Sequence, residues 1–290
     1  MIDAATGQWR WELRDLANDT RVQATNDLIF LTSTRWPGGL LLRTRDGRSM
    51  PFAENVREKF QAAKTSLGND LLVFSRDTAG SLTIERWNPQ TRQSAWRESF
   101  PNSSQFGWLD NHTLATLSQE GKLATFDLNT RESLMLATLK PTDLSGLNRQ
   151  RYLVSDNDRV FLIVSGQQSN FYGDDLITIP VNGTIFAFDR RAGGELWREK
   201  VDNQALVMNH FGASPVLLFS TRKFEQRGKI HVQVHRLLLI DKKTGRKQLD
   251  NELISQYSGF RLNLNLAERY LELLTYNDRL RLVGSEPSPK

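Results

Sequence analysis

An all-β fold is what this 290-residue sequence predicts. A turn motif recurs along it at intervals of 40, 45, 39, 62 and 52 residues, and short apolar runs rich in β-branched and aromatic residues separate the copies. A second polar cluster precedes many of those runs, in phase with the first motif. Because a fixed period constrains a fold more than any single motif does, the repeat is taken first.

The clearest copy places Asp3, Thr6, Gly7 and Trp11 at 0, +3, +4 and +8. Asn88, Thr91 and Trp96 repeat it with Arg92 at +4, and Asp127, Thr130 and Met135 repeat it with Arg131 at +4. Asp189, Ala192, Gly193 and Trp197 follow, then Asp241, Thr244, Gly245 and Leu249. A weaker copy lies at Arg43, Asp46 and Gly47, with Pro51 at +8. The chemistry is that of a tight reversal. An apolar strand such as Thr184–Phe188 ends at an Asp whose carboxylate can accept backbone N–H groups, and +4 supplies a positive φ. A second strand then leaves with a large apolar residue at +8.

The in-phase signal comprises Asn26-Asp27, Asn69-Asp70, Asn111-His112 and Asp156-Asn157-Asp158, each followed by an apolar run. Each repeat therefore reads as four short antiparallel strands, A to D, and a period of about 40 to 45 residues is that of a β-propeller blade. About six blades are expected in a single domain spanning residues 1–290. Strand-like runs at Arg261–Leu266, Tyr270–Thr275 and Arg279–Val283 stop short of a final turn and strand D. Ile2–Leu13 is the missing piece, so the expectation is either a ring closed by the N-terminal strand or a fragment of a larger propeller. Glu54–Lys64 and Leu266–Leu274 favour helix by composition and are assigned to strands by register alone.

The pattern Asp-x-x-Thr-Gly-x-x-x-Trp, in Asp3–Trp11 and, with Ala at +3, in Asp189–Trp197, resembles the pyrroloquinoline-quinone-like β-propeller repeat. That family includes the quinoprotein alcohol dehydrogenases and the lipoprotein propeller of the outer-membrane protein assembly machinery. The resemblance covers nearly the whole chain, in the repeat only. It implies structural roles for Asp3, Gly7, Trp11, Trp96, Asp127, Asp189, Gly193, Trp197, Asp241 and Gly245, with the +8 tryptophans docking between neighbouring blades. The dehydrogenases also carry a vicinal disulfide against the quinone, a calcium site and eight blades. This chain has no cysteine, so no quinone cofactor is expected.

Composition narrows the remaining classes. With 39% hydrophobic and 24% charged residues the chain can bury a core, and no apolar run reaches the roughly 18 residues of a membrane helix. Residues Met1–Arg14 lack a signal peptide, which reads as cytoplasmic if the chain is complete and leaves an exported location open if an upstream portion is missing. No Gly-x-Ser-x-Gly, phosphate-loop or dinucleotide fingerprint occurs, so no catalytic residue is named. His231 and His235 alternate on a strand and lie too far apart for one metal; Asp156-Asn157-Asp158 reads as solvated turn.

In a propeller the B–C connections share one face, and long loops on a rigid scaffold carry binding. Three such connections stand out here: Arg35–Gly39, Gly166–Gly183 and Thr221–Lys229. Arg35, Trp36, Phe171, Tyr172, Asp174, Arg222 and Lys223 are the candidate partner-binding residues. The C–D turns collect Arg43, Arg45, Arg48, Arg190, Arg191, Lys242, Lys243, Arg246 and Lys247, read as ordinary exposed positions that leave an anionic partner possible; no nucleic acid is expected. The expected function is a non-enzymatic protein-binding or scaffold module for another protein or an extended polymer. Two alternatives stand beside it: an oxidoreductase or hydrolase with a site at the central axis, and a fragment without independent activity.

Overall fold

The computed structural model describes residues 8, 10–101, 104–144, 150–166, 177–228, 230–255, 260–265, 268, 270–275 and 279–283. The chain is all-β, and it divides into two compact units, Met1–Ser104 and Gln105–Lys290. Asp3, Gly7 and the candidates Phe171, Tyr172 and Asp174 lie outside the described residues. Of the stretch expected to close a ring, residues 8 and 10–13 are described and belong to no strand.

The first unit holds two four-stranded antiparallel sheets. One runs β1 (Arg21–Ala24), β2 (Leu28–Thr32), β3 (Leu40–Arg43) and β4 (Ser49–Met50). Then comes α1 (Glu54–Ala62), followed by β5 (Ala63–Leu67), β6 (Asp70–Arg76), β7 (Leu82–Asn88) and β8 (Gln93–Phe100). The strand expected by register at Glu54–Lys64 is thus a helix as far as Ala62. Its residues hold few β-branched side chains, and Val56 and Phe60, one turn apart, drop into a core with Phe30, Leu71 and Val73. Phe60 stacks on Phe30 with ring centroids 4.8 Å apart. Packing of that apolar stripe wins over the period of the repeat.

The second unit opens with the sheet β9 (Gln105–Trp108), β10 (Thr113–Leu117), β11 (Lys122–Asp127) and β12 (Ser133–Thr138), followed by the short helix α2 (Pro141–Leu144). A seven-stranded sheet comes next: β13 (Gln150–Ser155), β14 (Arg159–Ser165), β15 (Thr178–Asp189), β16 (Glu195–Val207), β17 (Val216–Arg227), β18 (Ile230–Asp241) and β19 (Lys247–Ser255). Two expected blades merge here because β16 serves both, as strand D against β15 and, through the bridge Leu206↔Phe219, as strand A of the next. The last sheet is β20 (Phe260–Asn265), β21 (Tyr270–Thr275) and β22 (Arg279–Val283), the three strands the final apolar runs predict. Phe161, Ile163, Ile185, Phe219 and Ile240 centre one core cluster of this unit, and Leu117, Leu123, Leu162 and Phe186 another.

Every described copy of the turn motif has the same geometry. The +4 N–H donates to the carbonyl of residue 0 at Gly47, Arg92, Arg131, Gly193 and Gly245, and all five have φ between 59° and 75°. The residue-0 side chain caps the turn: one oxygen each of Asn88, Asp127, Asp189 and Asp241 accepts from the +3 N–H, and all but Asp241 from the +2 N–H as well. The in-phase polar clusters are A–B turns tied to the C–D turn of their own sheet. The N–H at +1 donates to an A–B carbonyl in four repeats: Thr44 to Asp27, Leu128 to His112, Arg190 to Asp158 and Lys242 to Pro215. In the fifth, Pro89 occupies +1 and has no N–H. There the side chains of Asn88 and Arg86 bind the two oxygens of Asp70, at 2.7 and 2.6 Å.

Candidate functional site

What joins one repeat to the next begins with the tryptophan at +8. In β7–β8, β15–β16 and β18–β19 a bulge falls just before the C–D turn, so the +8 residue faces the residue at −2: Trp96 opposite Arg86, Trp197 opposite Ala187, Leu249 opposite Leu239. The indole N–H of Trp197 then donates to the Lys242 carbonyl of the following turn at 2.8 Å, and its ring lies on Gly245, where a Cβ would stand 2.7 Å from it. Trp11 does the same to the first sheet's turn, bonding the Thr44 carbonyl at 2.7 Å and covering Gly47. The two glycines are therefore needed twice, for positive φ and for the ring.

Where the tryptophan is missing, the junction changes. In β11–β12 the bulge moves to Leu123/Ala124, which pairs Met135 with Ala124 at −3 and turns it to the other face. Met135 is 50% exposed, Leu136 takes the core position, and backbone replaces the indole: the Met135 carbonyl abuts Gly193, and Gly194 N–H donates to Leu136 at 2.7 Å.

A second link was invisible in the sequence because its partners are 80 and 86 residues apart. The basic residue at +1 reaches back to the A–B carboxylate of the preceding sheet region. Arg190 bonds Asp110, and Lys242 lies 3.5 Å from Asp156 and also donates to the Phe211 carbonyl. Lys242 is 1% exposed, with Phe211 4.0 Å from its ammonium, so it is no exposed turn cation. Burial pulls its pKa below the usual lysine value, against the opposing pull of Asp156. Asp156, expected to be solvated, is buried and accepts N–H bonds from Asp158 and Arg159. Burial would raise the Asp110 carboxyl, but the His112 N–H, Arg190 and Thr113 outweigh it and hold the pKa low. In the first unit Glu85 is similar: Lys59, Ser94 and Arg97 overcome its burial and lower its pKa.

Several of the remaining turn cations also have a carboxylate nearby, and three of them share one. Arg43, Arg45 and Arg48 lie 3.4, 3.8 and 3.9 Å from Asp46, Arg191 lies 3.8 Å from Asp158, and Lys247 lies 3.3 Å from Glu199.

The described B–C candidates fall in different units. In the first, Arg35 is exposed, sits 5.3 Å over the ring of half-buried Trp36 and donates to the Asp15 carbonyl at 2.8 Å. Thr34 binds Asp19 through its N–H at 2.9 Å, so the loop is tethered in place. In the second, Arg222 and Lys223 are neighbours on β17, opposite His235 and Val234 of β18. Lys223 lies between Glu225 at 2.6 Å and Glu252 at 3.4 Å, and the hydrogen bond to Glu225 leads the interactions that raise its pKa. Among the described residues β17 forms one bridge to β16, Leu206↔Phe219, and the Thr221 hydroxyl carries the contact on to the Gln204 side chain at 2.7 Å, whereas its pairing with β18 continues to Arg227. Among those residues no group of three His, Asp or Glu side chains converges to hold a metal, and no helix is long and apolar enough to cross a membrane.

No protein-family model matches the chain, and no curated protein matches it. Among solved structures it is similar to the N-terminal domain of Nup159, at 12% identity over 96% of this chain and 79% of that one, with a TM-score of 0.37. It is similar to the dihydro-heme d1 dehydrogenase NirN, at 16% identity over 88% of this chain and 52% of that one, with a TM-score of 0.42. It is also similar to BamB from Moraxella catarrhalis, at 15% identity over 97% of this chain and 76% of that one, with a TM-score of 0.33.

Proposed function

We propose that the chain is a non-enzymatic protein-binding module that takes an extended segment of another protein against its B–C connections. The observation that carries this reading is the β17 edge. Beyond the bridge Leu206↔Phe219 this strand runs on with β18 as far as Arg227↔Ile230, and among the described residues it forms no further bridge to β16; strand addition along such a stretch is a general mode of peptide recognition. The flanking side chains are of both signs, Arg222, Lys223 and Glu225, which favours a chosen partner over indiscriminate pairing. Ionisation supports a binding role as well. Glu85, Asp110, Asp189 and Asp250 are all shifted downward by ion pairs or turn N–H groups, the direction of structural carboxylates and opposite to that of a general acid.

The test is a photocrosslinking amino acid placed in the full chain at Lys223, at Trp36 and, as a control on the C–D turns, at Arg246. Incubation with protein from the source cells should give a discrete adduct from Lys223 that excess unmodified chain competes away. Proline at Gln226, whose N–H alternates to the side away from β18, should abolish it. Equal adducts from all three positions, or none from Lys223, would remove the proposal.

A further inference from the structure

We propose that the junction between the sheets β1–β4 and β5–β8 is a receptor slot for an aromatic side chain carried on an acidic segment of another protein. It lies at the C–D turns and stands independently of the β17 edge. Trp11 and Trp197 define what fills such a junction: an indole from one repeat, its N–H on the +1 carbonyl of the next turn and its ring over +4. Here +8 is Pro51. Strand β4 ends after two residues, the chain turns into α1, and among the described residues no indole lines the junction.

A cavity of about 490 Å³ occupies the place, within the roughly 300–1,000 Å³ of small-ligand pockets. Met50, Pro51, Phe52 and Val56 line it from the first sheet and α1, with Pro89 and Arg92 from the next turn. Pro51 is the +8 position of one repeat and Pro89 and Arg92 are +1 and +4 of the following one, the same three positions that meet at Trp197. The +4 residue is Arg92, so a ring cannot lie on the turn as it does on Gly245 and must stand further out. At that distance a guanidinium can lie over its face. Arg43, Arg45 and Arg92 line the cavity, against Asp27 within it and the adjacent Asp46, so cations outnumber carboxylates and an acidic flank is the complementary one. The junction at Met135 makes the contrast. Backbone closes it over Gly193, and the groove beside it is lined by polar groups such as Asp127, Glu132, Ser133 and Arg190, which suit no aromatic ring.

The experiment uses the full chain and fluorescein-labelled pentapeptides read by anisotropy: Asp-Glu-Trp-Glu-Asp, the same with Ala for Trp, and Lys-Lys-Trp-Lys-Lys. The acidic tryptophan peptide should bind about tenfold more tightly than either control and weaken with salt. Pro51→Trp combined with Arg92→Gly recreates the Trp11–Gly47 pair, fills the slot from within and should lower affinity at least about tenfold. Arg92→Glu alone should weaken binding about fivefold or more, and it decides the matter if the double variant does not fold. Equal binding of the three peptides, binding by none up to about 1 mM, or wild-type affinity in a folded double variant would each overturn the slot. None of these outcomes bears on crosslinking from Lys223.

Discussion

Truncating Trp197 should destabilise the second unit more than any other tryptophan change in it. The side chain is 9% exposed and packs against Phe161, with centroids 5.9 Å apart, so Trp197→Ala removes most of a buried aromatic. At about 25 cal/mol per Å² and roughly 150–250 Å² of aromatic surface, the transfer loss is about 4–6 kcal/mol as an upper bound. Core Trp→Ala changes run at about 3–5 kcal/mol, and the hydrogen bond to Lys242 adds about 0.5–1.5. Taking about 4 kcal/mol and a urea slope near 2 kcal/mol per M, the midpoint should fall by about 2 M. Trp197→Phe keeps the ring but drops the donor and should lower it by about 0.5–1 M. Far-UV circular dichroism is the readout, with Trp108→Ala as control because Trp108 is 42% exposed. Gly245→Ala completes a cycle: its cost should shrink by at least about 1 kcal/mol in the Trp197→Ala background, because only the clash with the ring disappears while the strain at φ 71° remains. Equal midpoints for Trp197→Ala and Trp108→Ala, or strict additivity in the cycle, would refute the docking argument.

Other consequences are as direct. Arg131→Gly should raise the unfolding midpoint by the equivalent of about 0.5–1 kcal/mol, since a left-handed side-chain-bearing residue is strained by about 1–2 kcal/mol and glycine returns part of that as unfolded-state entropy. Lys242 binds its proton less tightly folded than unfolded, so between its lowered pKa and the ordinary 10.5 the unfolded chain holds more protons and stability rises with pH. Lys242→Met should flatten that rise, as urea midpoints from about pH 7 to pH 10 will show, and parallel curves would contradict it. Glu85 works in the opposite sense. Its lowered pKa adds stability above the ordinary value of 4.5 that is lost as the pH falls through the lowered one, so Glu85→Gln should be less stable at neutral pH with a shallower acid limb in thermal melts.

The turns were legible in the sequence because their determinants are local: a capping oxygen at 0 and a left-handed residue at +4 fall within five positions, and even Arg92 and Arg131 obey the geometry. The docking of Trp197 was expected from the resemblance of its repeat to the pyrroloquinoline-quinone-like one, and not from local chemistry. Three things were not legible. The helix at Glu54–Ala62 depends on Val56 and Phe60 finding Phe30 and Leu71, partners that register alone does not specify. The merging of two blades depends on the length of β16, which runs on through Asp202 and Asn203, the latter at φ 47°, although that pair reads as a turn in the sequence. The burial of Lys242 depends on a carboxylate 86 residues away, and a lysine in a polar turn gives no local sign of it. Of the candidate binding residues, Trp36 lies on the connection from β2 to β3, whereas Arg222 and Lys223, expected on an inserted loop, are strand residues of β17, and the tethering of Arg35 and the carboxylates around Lys223 come from strands and loops that only folding brings near.

The links between repeats all point the same way along the chain. Trp11 waits for the turn at Thr44, Asp110 for Arg190, Asp156 and Trp197 for Lys242. A ribosome releases the chain in that order, so each emerging sheet carries an unmet indole or carboxylate until the one behind it appears. The nascent chain is thus stickiest at its growing end. Folding is drawn forward by synthesis, and a pause after Trp197 would leave an aromatic and the Asp156 carboxylate exposed to whatever chaperone stands at the tunnel mouth.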